Sequence, residues 1–511
     1  MRGWSWVSLH PLDLSILTGY LGLILGMGWF YGRRVQDVRD YFLSSRQVPW
    51  WAVLGSIVAT ETSTVTFLSV PAFAFAPNVR GEGGNWTFLS LAMGTILGRG
   101  LVTWLFLPAY FRGELFTVYQ LLEQRFNGFL RRAASLMFVT TRSVADGLRL
   151  MATAWVLVAM TEWKDPTAIL MIGTVTILYT WLGGMRAVIW TDVVQLGLYL
   201  AGGMVAAWVL WQRIPGGWET VVSLSAGGAK FQILDFRWDW DRNYTFWAGL
   251  IGGAFLTLAT HGTDQMMVQR YLCARDRAEA ARAVLVSGLL IFVQFCLFLL
   301  IGSLLAAFYV TVEPLPETVA KNPDRVFAHF LVTQMPVGFR GLVVAAVFAA
   351  AMSTLSSSLN SLATASFTDF GPRSRTSSQL KPQSLKGARW LTLWWGSVQI
   401  GVACGAVGLP SRVVDQALAL TSFTNGPVLG LFLLGLTPAR VTAPAATAGL
   451  FTGLAVVALV SRTGWLSWQW YTLLGAATTW ATGVLFTLGG WLRSRKYRSF
   501  ISARNENPAN Q

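Results

Sequence analysis

Residues 55–67 read Gly55-Ser-Ile-Val-Ala-Thr-Glu-Thr-Ser-Thr-Val-Thr-Phe67 and lie at the centre of a long apolar segment, 49–77. A run of β-branched hydroxyl residues is a poor helix interior, because the side-chain oxygens compete for backbone groups. This pattern predicts a helix that is broken near its middle. The alternative is a continuous helix whose hydroxyls bond back to the preceding turn. The polar residues at issue are Thr60, Glu61, Thr62, Ser63, Thr64 and Thr66.

The composition around this stretch is that of a membrane protein. Of 511 residues, 54% are hydrophobic and only 12% are charged, and the mean hydropathy is +0.50. A soluble globular domain carries about 25% charged residues. The chain therefore has too few polar residues to cover a soluble surface of this size, and we interpret it as an all-α polytopic membrane protein.

Apolar segments recur along the whole chain. A helix needs about 20 mostly apolar residues to cross the hydrocarbon core. The first segment is too long for the core of a signal peptide and is followed by Arg33 and Arg34, so we expect it to remain as a spanning helix. By this measure the sequence predicts about 13 spans, at 11–32, 49–77, 85–111, 132–160, 166–183, 187–211, 244–268, 282–310, 338–369, 389–408, 413–434, 441–460 and 469–492.

The distribution of Lys and Arg predicts the orientation. With the N-terminus outside and the C-terminus inside, most of the 39 basic residues fall in inner loops and in the final tail. Inner loops of membrane proteins are rich in Lys and Arg, and these residues also attract anionic lipid heads. The net charge of +15 therefore needs no nucleic-acid partner to explain it.

Motifs for catalysis and for cofactors were not found. There is no phosphate-binding loop, dinucleotide fingerprint, His-Glu-x-x-His or Gly-x-Ser-x-Gly motif, and the chain has three histidines. The cysteines, Cys273, Cys296 and Cys404, are too far apart for a metal-ligand spacing. The longest connections, 212–243 and 311–337, are too short for a catalytic module. We therefore expect no enzyme activity, no organic cofactor and no transition metal.

Oxygen-bearing side chains on two predicted spans suit a monovalent cation. Ser353, Ser356, Ser357 and Asn360 follow the spacing i, i+3, i+4, i+7 and share one helix face. Hard cations prefer oxygen ligands. Close packing through small residues is an alternative that does not exclude ion binding. Asp192, at the start of the sixth span, is either a solvated interfacial acid or a cation ligand.

Charged residues also lie inside spans, where each one suggests a function because its burial is costly. Arg142, Asp146 and Arg149 share one face of the fourth span. They can form one ion pair with one Arg left over to meet a carboxylate, or they can form an internal packing salt bridge. Asp264 follows a second polar and Gly-containing stretch, 257–262, which predicts another broken helix.

Three motifs of the chain resemble the sodium:solute symporter family. They are Trp181 to Gln195, Gly262 to Leu272 and Ala349 to Ser361, in the same order and on the same spans as in that family. The resemblance implies a single domain, 1–511, with a LeuT-type fold of two inverted five-helix repeats. In this chain the repeats would be 49–211 and 244–434, with an extra N-terminal helix at 11–32, two extra C-terminal helices within 441–492 and a cytoplasmic tail at 493–511.

The resemblance also implies binding residues. The main sodium site would use the carbonyls of Ala59, Thr62 and Ala350 and the hydroxyls of Ser353 and Thr354. A second sodium site, present in some members, would use Asp192, Ser353, Ser356 and Ser357. The residues that would face the solute are Glu61, Ser63, Thr66, Arg142 and Asp264.

The resemblance implies a sodium-coupled secondary symporter that imports a small polar organic solute by alternating access. Arg142 falls near the carboxylate-binding arginine of the family's sialic acid symporters, which favours an acidic sugar or carboxylate, with a neutral sugar as a further candidate. The expected location is a plasma membrane of bacterial inner-membrane type, in contact with lipid and without an obligate protein partner. The alternatives are a proton-coupled or uncoupled carrier and a transporter-like sensor.

Overall fold

The computed structural model describes residues 10–78, 80–160, 163–225, 229–320, 323–371, 383–409, 411–438 and 441–505. These residues are mostly helical, and the only strand-like pairings among them are two isolated bridges, Val48 with Ala274 and Pro77 with Gly83. The all-α architecture expected from the composition is therefore confirmed for the described part of the chain. The last residues of the expected tail, 506–511, lie outside it.

The α-helices follow one another through short connections. In chain order they are α1 (Pro11–Gly32), α2 (Val38–Leu43), α3 (Trp50–Glu61), α4 (Thr64–Phe75), α5 (Leu89–Leu105), α6 (Leu107–Tyr110), α7 (Gln120–Arg125), α8 (Gly128–Met160), α9 (Asp165–Arg213), α10 (Gly217–Ser223), α11 (Gly253–Gly262), α12 (Gln265–Leu272), α13 (Arg277–Thr311), α14 (Glu317–Ala320), α15 (Val326–Thr333), α16 (Phe339–Asp369), α17 (Gln383–Gly405), α18 (Ser411–Leu436), α19 (Ala443–Thr463) and α20 (Tyr471–Asn505).

Six of the described helical segments are long and apolar enough to cross a membrane, and the bent pair of α3 and α4 would make a seventh. The helix α9 covers two predicted spans, 166–183 and 187–211. Gly184 lies between them with φ 55° and ψ −151°, and a Cβ at this position would collide with the carbonyl of Tyr41. Only glycine readily adopts such a conformation, so the kink and the close approach both depend on it.

Two helices are broken near their centres. The axes of α3 and α4 differ by 63°, and Thr62 and Ser63 between them have extended backbone angles. The continuous-helix alternative is therefore wrong for this stretch. The second break separates α11 from α12 at Thr263 and Asp264. In both breaks a polar side chain caps the following helix: the Ser63 hydroxyl accepts from the Thr66 N–H and the Asp264 carboxylate from the Met266 N–H.

The helix α16 is the centre of the fold. In its most apolar window 94% of the residues are buried, although it carries the predicted stripe of serines. It packs against α1, α3, α8, α9 and α17. Because it is surrounded by protein, its hydroxyl groups face other helices and not lipid. The fold thus places an oxygen-rich helix against the break between α3 and α4.

Glu82 links the connection between α4 and α5 to the connection between α10 and α11. Its Oε1 accepts from the backbone N–H of Asn243 (2.8 Å), and its Oε2 accepts from the side-chain amide of Asn78 (3.1 Å). Burial raises the pKa of Glu82, but the hydrogen bonds from Asn243 and Asn78 outweigh it, so the pKa lies below its ordinary value. The ionised carboxylate therefore stabilises the folded state at neutral pH.

We expect Glu82→Gln to lower the free energy of unfolding by roughly 1–2 kcal/mol at pH 7, since hydrogen bonds to a charged group are replaced by neutral ones. The pKa of this group is depressed on folding, so its contribution is present above the unfolded pKa and is lost as the pH falls through the folded pKa. Thermal unfolding of the detergent-solubilised protein at pH 7 and at low pH would measure the difference. Glu219→Gln, at an exposed position, should change stability little; an equal loss in both variants would contradict this role.

Candidate ion and solute site

The residues predicted for the main sodium site lie at the end of α3, in the α3–α4 break and on α16. The Thr354 hydroxyl of α16 donates to the carbonyls of Thr60 (3.2 Å) and Ala350 (3.3 Å). The Thr62 hydroxyl donates to Val58 and accepts from the side chain of Gln294 (2.7 Å). Because a helix end leaves its last carbonyls without intrahelical partners, the end of α3 presents carbonyl oxygens, such as that of Thr60, to the side chains of α16.

A cavity of about 20 Å³ adjoins these residues, and it has room for about one water molecule or an ion of similar size. Ser63, Thr64, Ala350 and Thr354 contribute to its wall. Among the residues that the structure describes, no three His, Cys, Asp or Glu side chains are grouped so as to hold a metal ion. The candidate cation sites therefore consist mainly of hydroxyl and carbonyl oxygens.

Asp192, predicted for the second sodium site, is fully buried. Its Oδ1 accepts from the Ser353 hydroxyl (2.7 Å) and its Oδ2 from the Ser56 hydroxyl (2.5 Å). The interpretation of Asp192 as a solvated interfacial acid is therefore wrong. Ser356, predicted beside it, donates instead to the carbonyl of Ser353 (3.1 Å).

Arg270 of α12 completes the Asp192 group and was not predicted. Its guanidinium donates to the hydroxyls of Thr60 and Ser357 and lies 3.4 Å from Asp192. Its Nε also donates to Ser56 (2.8 Å). Arg270 lies outside the predicted spans 244–268 and 282–310, but its side chain is fully buried. The only sequence feature that could have indicated a role for Arg270 is its position in residues 262–272, one of the motifs that resemble the family.

Glu61, the last residue of α3, pairs with a second arginine that sequence reasoning left without a role. The Arg99 guanidinium of α5 contacts the Glu61 carboxylate and donates to Ser287 (3.0 Å). The ring of His261 lies 3.5 Å from the same carboxylate and is hydrogen-bonded to Tyr271 (2.6 Å). The protein itself therefore compensates the charge of Glu61, which does not leave a net negative charge to repel an anionic solute.

Arg142 is the arginine left over from the ion pair predicted on α8, and a carboxylate of the protein itself already contacts it. Arg149 pairs with Asp146 at 2.7 Å, and this is an ion pair of the kind predicted within the helix. Arg142, however, pairs with Asp264 at the α11–α12 break, with Asp146 further away at 3.8 Å. Helical spacing could not predict this partner of Arg142, because Asp264 lies 122 residues away in sequence and not on the same helix.

Arg142 and Asp264 line a polar cavity of about 110 Å³. Its wall also contains Arg149, Thr260 and Asn425. Of the other predicted solute-facing residues, Ser63 lines the smaller cavity described above. The Thr66 hydroxyl lies 3.2 Å from Ser63, and neither Thr66 nor Glu61 belongs to the described lining of the two cavities. The predicted solute-facing residues therefore do not line one common cavity. Arg142 and Asp264 line the larger one, and Ser63 lines the smaller one.

Two broken helices around a polar centre, packed against an oxygen-rich helix, define a class of membrane transporters with discontinuous helices. Sequence comparison gives the particular family. Residues 41–453 match the sequence model of the sodium:solute symporter family, so the chain belongs to that family. It is a multi-pass membrane transporter and not an enzyme.

Similar proteins agree with this assignment. The chain is 31% identical to the sodium/sialic acid symporter NanT of Aliivibrio fischeri, over 94% of this chain and 93% of the relative. It is 29% identical to the human sodium/iodide cotransporter, over 88% of this chain and 68% of the relative. It is also 30% identical to the bovine sodium-coupled monocarboxylate transporter 2, over 86% of this chain and 71% of the relative.

Solved structures identify the fold as the LeuT type. A sodium-coupled sialic acid symporter in a substrate-bound outward-open state superposes with a TM-score of 0.86 at 29% identity, covering 93% of this chain and 97% of the other. Mhp1, a nucleobase-cation-symport-1 transporter in a closed conformation, superposes with a TM-score of 0.54 at 13% identity, over 86% and 92% of the two chains. The second likeness concerns the fold alone.

We expect Arg99→Met to lower the free energy of unfolding by about 3 kcal/mol, since it leaves the mostly buried carboxylate of Glu61, 23% exposed, without its partner. The double variant Glu61→Gln/Arg99→Met should recover most of this loss because neither charge remains. Thermal unfolding in detergent would measure both. If the single and double variants lost equal stability, the ion pair would not be the cause.

We expect Ser353→Ala/Thr354→Ala to raise the half-saturating Na⁺ concentration for transport about tenfold, roughly 1.4 kcal/mol of binding free energy. The reason is the loss of two hydroxyl ligands proposed for the main site. Ser361→Ala is a matched control, since this buried hydroxyl of the same helix donates only to the carbonyl of Ser358. Unchanged activation by Na⁺ in the double variant would remove these residues from the site.

Proposed function

We propose that this chain imports a small organic anion, an acidic sugar or a carboxylate, together with Na⁺. The observation that supports this most directly is Arg142, a guanidinium that lines a polar cavity within the transmembrane core. An arginine can bind a carboxylate through two parallel hydrogen bonds. A neutral sugar would make less use of this group.

The named solutes of the relatives support an anion. Sialic acid, iodide and monocarboxylates are chemically different, but all three carry a negative charge at neutral pH. The shared property is therefore charge and not size or shape. Arg142 is a group in this chain that could recognise that property.

Sodium coupling is proposed through two oxygen-rich groups. The main site would consist of the carbonyls of Ala59, Thr62 and Ala350 with the hydroxyls of Ser353 and Thr354. The second would consist of Asp192, Ser353, Ser356 and Ser357. The hydrogen bonds from Thr354 to the carbonyl of Thr60 and from Ser353 to Asp192 support this arrangement. Sodium bound between α3 and α16 would stabilise the state that receives the solute, and by linkage the solute would raise the affinity for sodium by the same factor.

The proposed topology follows the sequence analysis. It has about 13 spans, an outer N-terminus and an inner C-terminus, in a plasma membrane of bacterial inner-membrane type. The repeats would be 49–211 and 244–434, flanked by the extra helices at 11–32 and within 441–492. The inner excess of Lys and Arg supports the orientation and favours contact with anionic lipid.

A proton-coupled carrier is the second candidate. His261 lies 3.5 Å from Glu61 and could exchange a proton with it. The oxygen-rich face of α16 has no carboxylate of its own, which favours Na⁺ over H⁺. Separate gradients of Na⁺ and pH across proteoliposomes would distinguish the two candidates.

The direct experiment is uptake by proteoliposomes of labelled sialic acid, lactate and iodide, with an inward gradient of either NaCl or KCl. Sodium-dependent accumulation of sialic acid or lactate would support the proposal, whereas accumulation of iodide alone would contradict an organic solute. Accumulation that follows a pH gradient instead would favour the proton-coupled candidate. Uptake of neutral sugars in preference to all three anions would contradict an anionic solute.

We expect Arg142→Gln to weaken binding of the transported anion about tenfold or more, because a hydrogen bond to a charged group contributes about 1.5–3 kcal/mol. Anion-dependent thermal stabilisation in NaCl would measure the affinity. Arg132→Gln is the matched control, since Arg132 lies on the same helix at an exposed position. An equal loss in both variants would mean that Arg142 does not bind the anion.

A further inference from the structure

The short helix α12 has residues of opposite charge near its two ends, and each of them contacts a different proposed binding group. Asp264 caps its first turn and Arg270 follows six residues later, about 9 Å along the helix axis. All residues of α12 are buried. Gln265 and Gln269 also bond to neighbouring segments, but these two side chains are neutral. The two charged residues are therefore the ones with which ions could compete.

At one end of α12, a carboxylate already occupies the proposed anion-binding group. The Arg142 guanidinium contacts the Oδ2 of Asp264, while the Oδ1 of Asp264 accepts from the N–H of Met266. The side chain of Arg142 is only 15% exposed. A solute carboxylate that binds Arg142 through two parallel hydrogen bonds would compete with Asp264 for this contact. Asp264 thus stands where the charge of an anionic solute would stand.

At the other end, a guanidinium occupies the proposed cation-binding group. Arg270 contacts the hydroxyls of Ser357 and Thr60 and lies 3.4 Å from Asp192. This last distance is longer than the roughly 2.8 Å of a charge-assisted hydrogen bond. Two cations beside one buried carboxylate would repel each other strongly, so Na⁺ and the guanidinium compete for Asp192.

We propose that α12 is a latch whose two charges occupy both ligand sites until Na⁺ and an anionic solute replace them. This inference rests on the proposed function and explains its coupling. When Na⁺ displaces Arg270 from Asp192, α12 loses one of its two charged contacts, and Asp264 leaves Arg142 more readily. The solute then binds Arg142 at a smaller cost, and the reverse order gives the same mutual gain.

The test measures how accessible Arg142 is when no solute is present. Purified protein in lipid nanodiscs is treated with phenylglyoxal, a neutral reagent that modifies arginine, in NaCl or in choline chloride of equal ionic strength. Mass spectrometry of peptides gives the rate at Arg142. We expect Na⁺ to raise this rate about fivefold or more, the lower end of typical coupling between sites. Equal rates in the two salts would overturn the latch.

Arg131 provides an internal standard within the same sample. Its side chain is 14% exposed, close to the 15% of Arg142, and it is likewise paired with an aspartate, Asp369. The Arg131 pair contains no residue of α12. Its rate should therefore be the same in both salts. A parallel increase at Arg131 would mean that Na⁺ loosens the whole protein, and it would also overturn the latch.

Two variants test the Asp264 contact and the Arg270 contact of α12 one at a time. Asp264→Asn removes the charge but keeps the helix cap, because Asn caps as well as Asp, so Arg142 should react rapidly in both salts. Asp276→Asn is the matched control, since Asp276 likewise caps a helix, α13, but lies at an exposed position; Arg142 should react in this variant as in the parent protein. The double variant Asp192→Asn/Arg270→Gln leaves neither charge unpaired and should abolish the effect of Na⁺. If Na⁺ still accelerates the reaction in it, the effect arises elsewhere and the Arg270 end is wrong.

Adding solute distinguishes failure of the latch from failure of the proposed function. Sialic acid, lactate or iodide is added in NaCl, and a bound anion should protect Arg142. Protection combined with equal rates in the two salts without solute would overturn the latch and leave anion binding intact. A sodium-dependent rate without protection by any of the three anions would support the latch and count against the proposed solutes.

Discussion

Charge neutrality inside the membrane is the constraint on which this structure depends. An unpaired charge in the transmembrane core is costly, and a buried pair is stable only while both partners are present. Each of five acids in or at the end of the helical core contacts an arginine, and the partners come from different helices in most cases. The pairs are Glu61–Arg99, Asp146–Arg149, Asp192–Arg270, Asp264–Arg142 and Asp369–Arg131. Four of these five contacts join segments that are distant in the sequence.

This neutrality changes how the binding groups are understood. Arg142 and Asp192 are both paired within the protein. Their partners are Asp264, which caps α12, and Arg270 of α12. A ligand gains only the difference between its own contacts and those it replaces. Selectivity among anions or cations would therefore reflect how well each imitates an internal carboxylate or guanidinium, and not how strongly it is attracted to an isolated charge.

The sequence predicted the features that depend on local pattern. The membrane class followed from composition, and the broken helix at residues 60–64 followed from its run of hydroxyl residues. The pairing of the buried charges could not be read in this way, since Arg142 and Asp264 are 122 residues apart and Arg270 and Asp192 are 78 apart. Helical spacing reports which residues share a face of one helix. It gives no information on which face of another helix lies opposite.

The burial of α16 has a consequence for how the chain is made. A helix with several serines and an asparagine is a poor fit to lipid and needs polar neighbours soon after it enters the bilayer. Of the helices that surround it, α1, α3, α8 and α9 precede it in the chain, and α17 follows directly. Synthesis from the N-terminus therefore delivers α16 into a partly built bundle. The order of the helices along the gene suits the order in which a ribosome must release them.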